Sequence, residues 1–391
     1  MTTEIPISVM SFPTRMVVGP GALSRLPQEM EILGKKRALI VADPGVEKAR
    51  IVKQVEATLA SAGFSGGVFL GVSKNPVEAD VLAGVQAYKE LEADVVIGLG
   101  GGAPMDVAKV VALKVTHHRP LADYDDLKGG DRLITPDMPP MIAIPTTAGT
   151  GSEVGRAGVI VLGEGADAHK VVVFAPYMMP KVAILDAELT VGLPPAITAA
   201  TGIDAMTHAL EAYVAKGTHP FADMYALAAL ARVGSYLERA VKDGGDIEAR
   251  HEMLLAASMG AISFQKGLGA CHALAHPLGS VANVHHGLAN ALMLPHVIRF
   301  NLETVPNRYA IAAQALGMSG TGSLEWKALD CLRRVAQLIE AVGITGGLRD
   351  HGVTREHIEQ MIPQALEDAA GAGNPRGLDE ASVRAMYEAA Y

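Results

Sequence analysis

"DVVIGLGGGAPMDVAK", residues 94–109, reads as a hydrophobic strand, then three consecutive glycines, then the start of a helix, and this order decides the fold. A Val/Ile-rich run that stops at glycine and turns directly into a helical pattern is one βα unit of a parallel sheet. Gly100, Gly101 and Gly102 remove the side chains that would keep a diphosphate away from backbone N–H groups, and a helix opening near Pro104 adds the positive end of its dipole. The pattern is not G-x-G-x-x-G, and a glycine run after a strand also makes a plain tight turn.

The same rhythm fills the first half of the chain. "RALIVA" (37–42), "GGVFLG" (66–71) and "MIAIP" (141–145) are short apolar runs separated by amphipathic stretches such as "VLAGVQAYKELEA" (81–93). The alternation predicts βαβ units and a doubly wound parallel sheet. "GRAGVIVLGEGADAHKVVVF" (155–174) differs, because two β-like runs flank a Gly/Asp turn, as in a hairpin. After "LDAELTVGLPP" (185–195) the strand signals stop, and the Ala-, Leu-, Met- and Glu-rich remainder, such as "FADMYALAALARVGSYLERAV" (221–241), has helical spacing. Pro194 and Pro195 stand where a helix would begin. The expected organisation is an α/β dinucleotide-binding domain over residues 1–190 and an all-helical domain over 191–391, with a ligand cleft between them.

Composition narrows the function. With 49% hydrophobic and 19% charged residues the 391-residue chain is globular rather than disordered. A net charge of −9 without an extended Lys/Arg tract argues against nucleic acid as a partner. "MTTEIPISVMSFPTR" at the start has no basic-then-apolar order and so does not read as a signal peptide. No stretch reaches about 18 uninterrupted apolar residues, which argues against a membrane span. Cys271 and Cys331 make no disulfide framework and point to a reducing compartment, so a cytoplasmic protein is expected.

Polar residues mark the chemistry. Asp43 ends a strand, where a carboxylate accepts hydrogen bonds from a ribose 2′-hydroxyl and repels a 2′-phosphate, favouring NAD over NADP; it also fits a helix cap. "IPTTAGTGSEVGRAG" (144–158) offers Thr146, Thr147, Thr150 and Ser152 beside glycines that let backbone approach a ligand. "TGIDAMTHALEAY" (201–213) places Asp204 and His208 one helical turn apart, near enough to hold one ion, though a cap and a core histidine fit the same spacing. "GACHALAHPLGSVANVHHG" (269–287) carries His272, His276, His285 and His286. Spacing alone selects Asp204, His208, His272 and His276, a set that suits Zn²⁺ or Fe²⁺ with open positions for catalysis. If Pro277 and Gly279 break the helix, His276 caps or packs instead.

Taken in order, "ALIVAD", "NP" (75–76), "GLGGGAPMDVAK", "IPTTAGTGSEV", "DAMTHALEAY", "GLGACHALAHPLG", "HHGLANALMLPHV" and "GNPR" (373–376) resemble the iron-containing (group III) alcohol dehydrogenase family over essentially the whole chain. The resemblance implies a Rossmann-like N-terminal domain, an all-α C-terminal domain, NAD, and a divalent metal, Fe²⁺ first, with Zn²⁺ or Mn²⁺ tolerated by the same ligands. It implies Asp204, His208, His272 and His286 as ligands. That displaces His276 from the metal to a place near substrate and nicotinamide, where it serves proton transfer, and leaves His285 without a role. On the cofactor side it implies Asp43 at the ribose, Asn75 at the adenosine, Gly101 and Gly102 at the pyrophosphate, and Thr146, Thr147, Thr150 and Lys170 along the cofactor. Ala103 and Gly155 depart from the family's usual serine and threonine. A homodimer or higher homo-oligomer is the family's habit.

The expected reaction is hydride transfer between a primary alcohol and NAD. Arg156 and Lys266 flank motifs that should approach the cleft, and either would pair with a substrate carboxylate, so an ω-hydroxy acid such as 4-hydroxybutyrate is one expected substrate. A lactaldehyde or propanediol reductase, and a lyase of the dehydroquinate synthase type that shares the architecture, are the alternatives.

Overall fold

A computed structural model describes residues 14–163 and 169–391. Most of the N-terminal stretch read for a signal peptide, and the Gly/Asp turn of the hairpin, lie outside those residues. The chain divides into two compact units: one holds the described residues up to Thr147 together with Gly151–Gly192, the other Ala148–Thr150 and Leu193–Tyr391.

The first unit is built on β1 (Arg15–Val18), β2 (Arg37–Val41), β3 (Ser65–Phe69), β4 (Val95–Gly100), β5 (Met141–Pro145) and β8 (Val182–Leu185), with β6 (Ala157–Leu162) and β7 (His169–Phe174) as a separate pair. Its helices are α1 (Leu26–Leu33), α2 (Pro44–Lys48), α3 (Ile51–Ser61), α4 (Glu78–Glu90) and α5 (Gly102–Thr116). Six strands form one sheet in the order β1-β8-β5-β4-β2-β3, every pair parallel, and β6 and β7 pair antiparallel. The expected doubly wound sheet and its hairpin are both present.

Both faces of the sheet are covered. Leu39, Val41, Val96, Met141 and Ala143 pack with Val81 of α4 and Val107 and Val111 of α5. Their alternating neighbours Ala38, Ile40, Ile97, Ile142 and Ile144 pack with Leu26 and Met30 of α1 and Val55 and Leu59 of α3. Burial on two sides is why these strands read as continuous apolar runs instead of a polar/apolar alternation. The strand order reverses between β2 and β4, so the residues that follow these two neighbours, Asp43 and Gly101, stand at the switch point where open α/β sheets take ligands.

The second unit is helical: α6 (Pro195–Val214), α7 (Pro220–Lys242), α8 (Ile247–Ser263), α9 (Ala270–Ala282), α10 (His286–Asn301), α11 (Pro306–Ala315), α12 (Leu324–Ala341), α13 (Arg355–Glu367) and α14 (Glu380–Ala390). One apolar core runs through it, from Ile203 and Met206 of α6 through Leu230 and Val233 of α7 and Leu274 of α9 to Met293 of α10 and Tyr387 of α14. α6 is buried along nearly its whole length, which explains its Ala-rich sequence: small side chains let neighbouring helices close around it. Among the described residues no helix is long and apolar enough to cross a membrane.

Candidate functional site

Three helices bring the histidine motifs together. Pro194 precedes α6 and Pro195 is its first residue, so Asp204 and His208 lie in mid-helix and Asp204 is not a helix cap. Both are buried. α9 begins after Gly269 and places His272 in its first turn and His276 one turn later. Pro277 does not break it: the helix continues to Ala282 and stops at Asn283, which adopts the left-handed conformation at φ 54°. His285 is then the residue that enters α10, and His286 is the first residue inside it. A Cβ on Gly287 would lie 2.2 Å from the carbonyl oxygen of Ala200, so only glycine lets α10 start against α6 with His286 facing inward.

Ligand atoms of Asp204, His208, His272 and His286 all lie within 4.8 Å of one another. Asp204 Oδ1 is 3.4 Å from His286 Nε2 and 3.9 Å from the Nε2 atoms of His208 and His272. The rings support one another: His208 stacks on His272 at 4.7 Å between centroids, and Phe264 lies 5.1 Å from His208 on a tilted plane. His208 Nδ1 is buried without a hydrogen-bond partner among the described residues, so packing rather than a hydrogen bond orients that ring.

The donor set fits a divalent cation. Burial alone would raise the Asp204 carboxyl, but His208, His286, His272 and the amide of Asn290 outweigh it and hold it down at about 2. Burial drives His272 and His286 well below the usual imidazole range, which leaves both neutral with a lone pair to give. Imidazole nitrogens and a carboxylate are ligands that Fe²⁺ and Zn²⁺ take. Cys271 does not join them, since burial pushes its thiol well up and its Sγ turns to the backbone of Asn290.

His276 stands beside this cluster, its ring stacked on His286 at 5.5 Å between centroids. Its Nδ1 is 2.7 Å from Asp368 Oδ2, and the other oxygen of Asp368 receives the backbone N–H of Ala370. The carboxylate thereby holds the ring by one nitrogen and leaves Nε2 for other chemistry.

Three polar residues of the site escaped the sequence reading. Asn290, on α10 one turn after His286, donates from Nδ2 to Asp204 Oδ1 at 2.7 Å. Glu211, one turn beyond His208 on α6, meets His272 Nδ1 at 2.6 Å, and burial pushes its carboxyl up to about 7. Helical spacing from a known ligand would have found these two. Asp368 has no such signal, because 92 residues separate it from His276.

The other motifs build loops on the first unit. β4 runs into Gly100, whose φ of +143° no ordinary side chain adopts readily, and Gly101 caps α5 with no side chain over its first amides. Thr146 N donates to the carbonyl of Gly100 at 2.9 Å, which ties the threonine loop after β5 to the glycine loop. Lys109 of α5 donates to Ser152 Oγ at 2.6 Å and to the carbonyl of Ala157, while Ser152 donates to Asp106 at 2.7 Å. Asp43 caps α2, with Oδ1 receiving the N–H groups of Gly45 and Val46. Asn75 is exposed on a loop that Asp80 ties down through the N–H groups of Ser73 and Val77, and Lys170 is exposed on β7. In the second unit, a Cβ on Gly149 would meet Thr201 of α6 at 2.8 Å, so the turn preceding Thr150 lies close against α6.

The two cations expected at a substrate carboxylate fare differently. Lys266 is already engaged elsewhere: its side chain is 2% exposed, and its ammonium donates to Asp223 Oδ1 at 2.7 Å and to the carbonyl of Tyr213 at 2.9 Å. Arg308 grips the other oxygen of Asp223, so freeing Lys266 for a substrate would disrupt a part-buried charge network. Arg156 lies with its guanidinium 4.9 Å from the ring centroid of Phe174, on the hairpin.

Comparison with known proteins agrees with this arrangement. The family described as "Iron-containing alcohol dehydrogenase" matches residues 13–187, and "Fe-containing alcohol dehydrogenase family, C-terminal" matches residues 198–391. The chain is 38% identical to 4-hydroxybutyrate dehydrogenase of Cupriavidus necator over 377 residues, covering 94% of this chain and 96% of the relative. A crystal structure of 1,3-propanediol oxidoreductase superposes with a TM-score of 0.94 at 35% identity, covering 98% of this chain and 100% of the other. Sulfoacetaldehyde reductase from Bifidobacterium kashiwanohense, solved in complex with NAD+, gives 0.88 at 26% identity over 98% and 99%. With an Asp/His₃ cluster on three helices and a glycine loop at the sheet's switch point, the chain belongs to the iron-containing alcohol dehydrogenase family and is an alcohol/aldehyde oxidoreductase.

Proposed function

We propose that the chain interconverts a primary alcohol and its aldehyde with NAD, holding a divalent ion, Fe²⁺ ahead of Zn²⁺ or Mn²⁺, on Asp204, His208, His272 and His286. The observation that carries this reading is Asp204 Oδ1 facing three Nε2 atoms at 3.4–3.9 Å. When bound, the ion supplies a Lewis acid for the alcohol or carbonyl oxygen, and the nicotinamide takes or gives the hydride. His276 holds the proton that the substrate oxygen releases or receives, at Nε2, and Asp368 keeps its other nitrogen occupied. Gly101 and Gly102 leave the first amides of α5 open to the pyrophosphate. Asp43, Asn75, Thr146, Thr147, Thr150 and Lys170 line the remainder of the cofactor.

For the substrate we propose an ω-hydroxy acid of the 4-hydroxybutyrate class, with Arg156 as the cation for its carboxylate; the 38% identity to a 4-hydroxybutyrate dehydrogenase supports this. A diol is the second reading, supported by the likeness to 1,3-propanediol oxidoreductase. The test is an NAD-linked screen of alcohols, diols and hydroxy acids on protein purified without oxygen, with metal analysis of the same sample. About one ion per chain and NADH formation with a primary alcohol are expected. Protein that forms NADH equally well after all metal is stripped would overturn the reading.

A further inference from the structure

We propose that Glu211 is the positioning residue of the metal centre: its buried carboxylate takes the Nδ1–H of His272 and the amides that open α9, and so turns His272 Nε2 toward the ion. The inference rests on the reading of Asp204, His208, His272 and His286 as a metal site.

The geometry leaves Glu211 little other work. It is 3% exposed and lies on the Asp204–His208 face of α6, one turn beyond His208. One oxygen receives the N–H of Cys271 at 2.5 Å, and the other receives the N–H of His272 at 3.4 Å and faces His272 Nδ1 at 2.6 Å. Helix starts expose N–H groups that need acceptors, and α9 has no cap from its own Gly269. The caps come from outside: Glu211 serves Cys271 and His272, and Asn374 Oδ1 receives the N–H of Ala270 at 3.2 Å. A Cβ at position 269 would lie 2.9 Å from Glu211 Oε1 and 3.0 Å from Asn374 Oδ1, so Gly269 is what admits both side chains.

The ligand atom depends on this arrangement. The backbone N–H groups on both oxygens of Glu211 work against its burial and favour the ionised form, which can only accept, and in that form the hydrogen in the contact with His272 belongs to Nδ1. A neutral imidazole protonated at Nδ1 is bare at Nε2, the atom that faces Asp204. One side chain on α6 thus sets the start of α9, the plane of the His272 ring and its tautomer. A carboxylate behind a metal-bound histidine is worth about 10–100-fold in metal affinity.

The test compares wild type with Glu211→Gln as full chains, stripped of metal with a chelator and titrated with Zn²⁺ alone against a chromophoric competitor. Glutamine keeps an oxygen for Cys271 N–H but turns an NH₂ toward Nδ1, which favours the tautomer protonated at Nε2. The expected result is a Kd for Zn²⁺ raised about 10–100-fold, with the thermal midpoint of the metal-free protein close to wild type. An unchanged Kd overturns the proposal, as does a lowered metal-free midpoint with affinity intact, which would make Glu211 a helix cap only. Wild-type protein that takes up no Zn²⁺ would overturn the metal-site reading itself, and this inference with it. A measurement that needs no variant is the ¹⁵N spectrum of His272 in the metal-free wild type: protonation at Nδ1 supports the proposal and protonation at Nε2 overturns it.

Discussion

The helical unit and the sheet unit build their candidate sites in opposite ways. In the helical unit the proposed metal ligands are side chains: three imidazoles and a carboxylate project from α6, α9 and α10 and are held by Glu211, Asn290 and stacked rings. In the sheet unit the preparation is largely subtraction: Gly100 and Gly101 clear the end of β4 so that the amides of α5 stand open. The comparison teaches where each site is fragile. A side-chain site fails when one residue is removed, whereas a backbone site fails when one is added.

The largest expected effect breaks the side-chain site. Asp204→Ala removes the carboxylate that all three Nε2 atoms face, and we predict loss of bound metal and of NAD-linked activity together, read by elemental analysis and turnover. Retention of a full complement of metal would refute the assignment. Next comes His276→Ala, for which we predict turnover lower by roughly a hundredfold or more, the usual contribution of a positioned acid/base, with metal content nearly intact. If metal is lost as completely as in His286→Ala, His276 belongs among the ligands after all.

The backbone site is broken by addition. Gly101→Val would place a branched side chain over the first amides of α5, and we predict a Michaelis constant for NAD raised by about tenfold or more, the cost of losing one hydrogen bond to a charged group. A constant unchanged within twofold would separate this loop from the pyrophosphate. Asp43→Ala sharpens the contrast because the residue serves twice: we predict about 1 kcal/mol of lost stability from the α2 cap and a weakened preference for NAD over NADP. Loss of stability with the preference intact would leave Asp43 as a cap alone. The smallest effect concerns the substrate. Arg156→Ala should raise the Michaelis constant of an ω-hydroxy acid more than that of a plain primary alcohol, and an equal change for both would end the carboxylate assignment.

Much was legible in the chain alone. The βα rhythm, the glycine turn after β4, the hairpin and the start of α6 at Pro195 follow from local periodicity and from prolines and glycines whose backbone preferences are intrinsic. Asp204 with His208 was legible because one helix turn separates them on a continuous helix. The reading weakened wherever a residue's meaning depends on what lies across from it. The spacing of His272 and His276 is the same helical spacing, yet His276 pairs with Asp368 from 92 residues away while His286 faces Asp204. Lys266 looked like a free cation until Asp223 and Arg308 surrounded it.

By itself, then, the sequence determined the elements, the fold class and the kind of chemistry, since periodicity and residue type act over a few positions and need no partner. Helical spacing left open which of the neighbouring histidines join Asp204, and the family resemblance pointed to His272 and His286; only the tertiary structure showed that His276 answers to Asp368 and that Glu211 stands behind His272. The physical reason is range. Helix and strand preferences are local, but a ligand set is a meeting of side chains from α6, α9 and α10, and their meeting is fixed by packing such as the contact of Gly287 with Ala200.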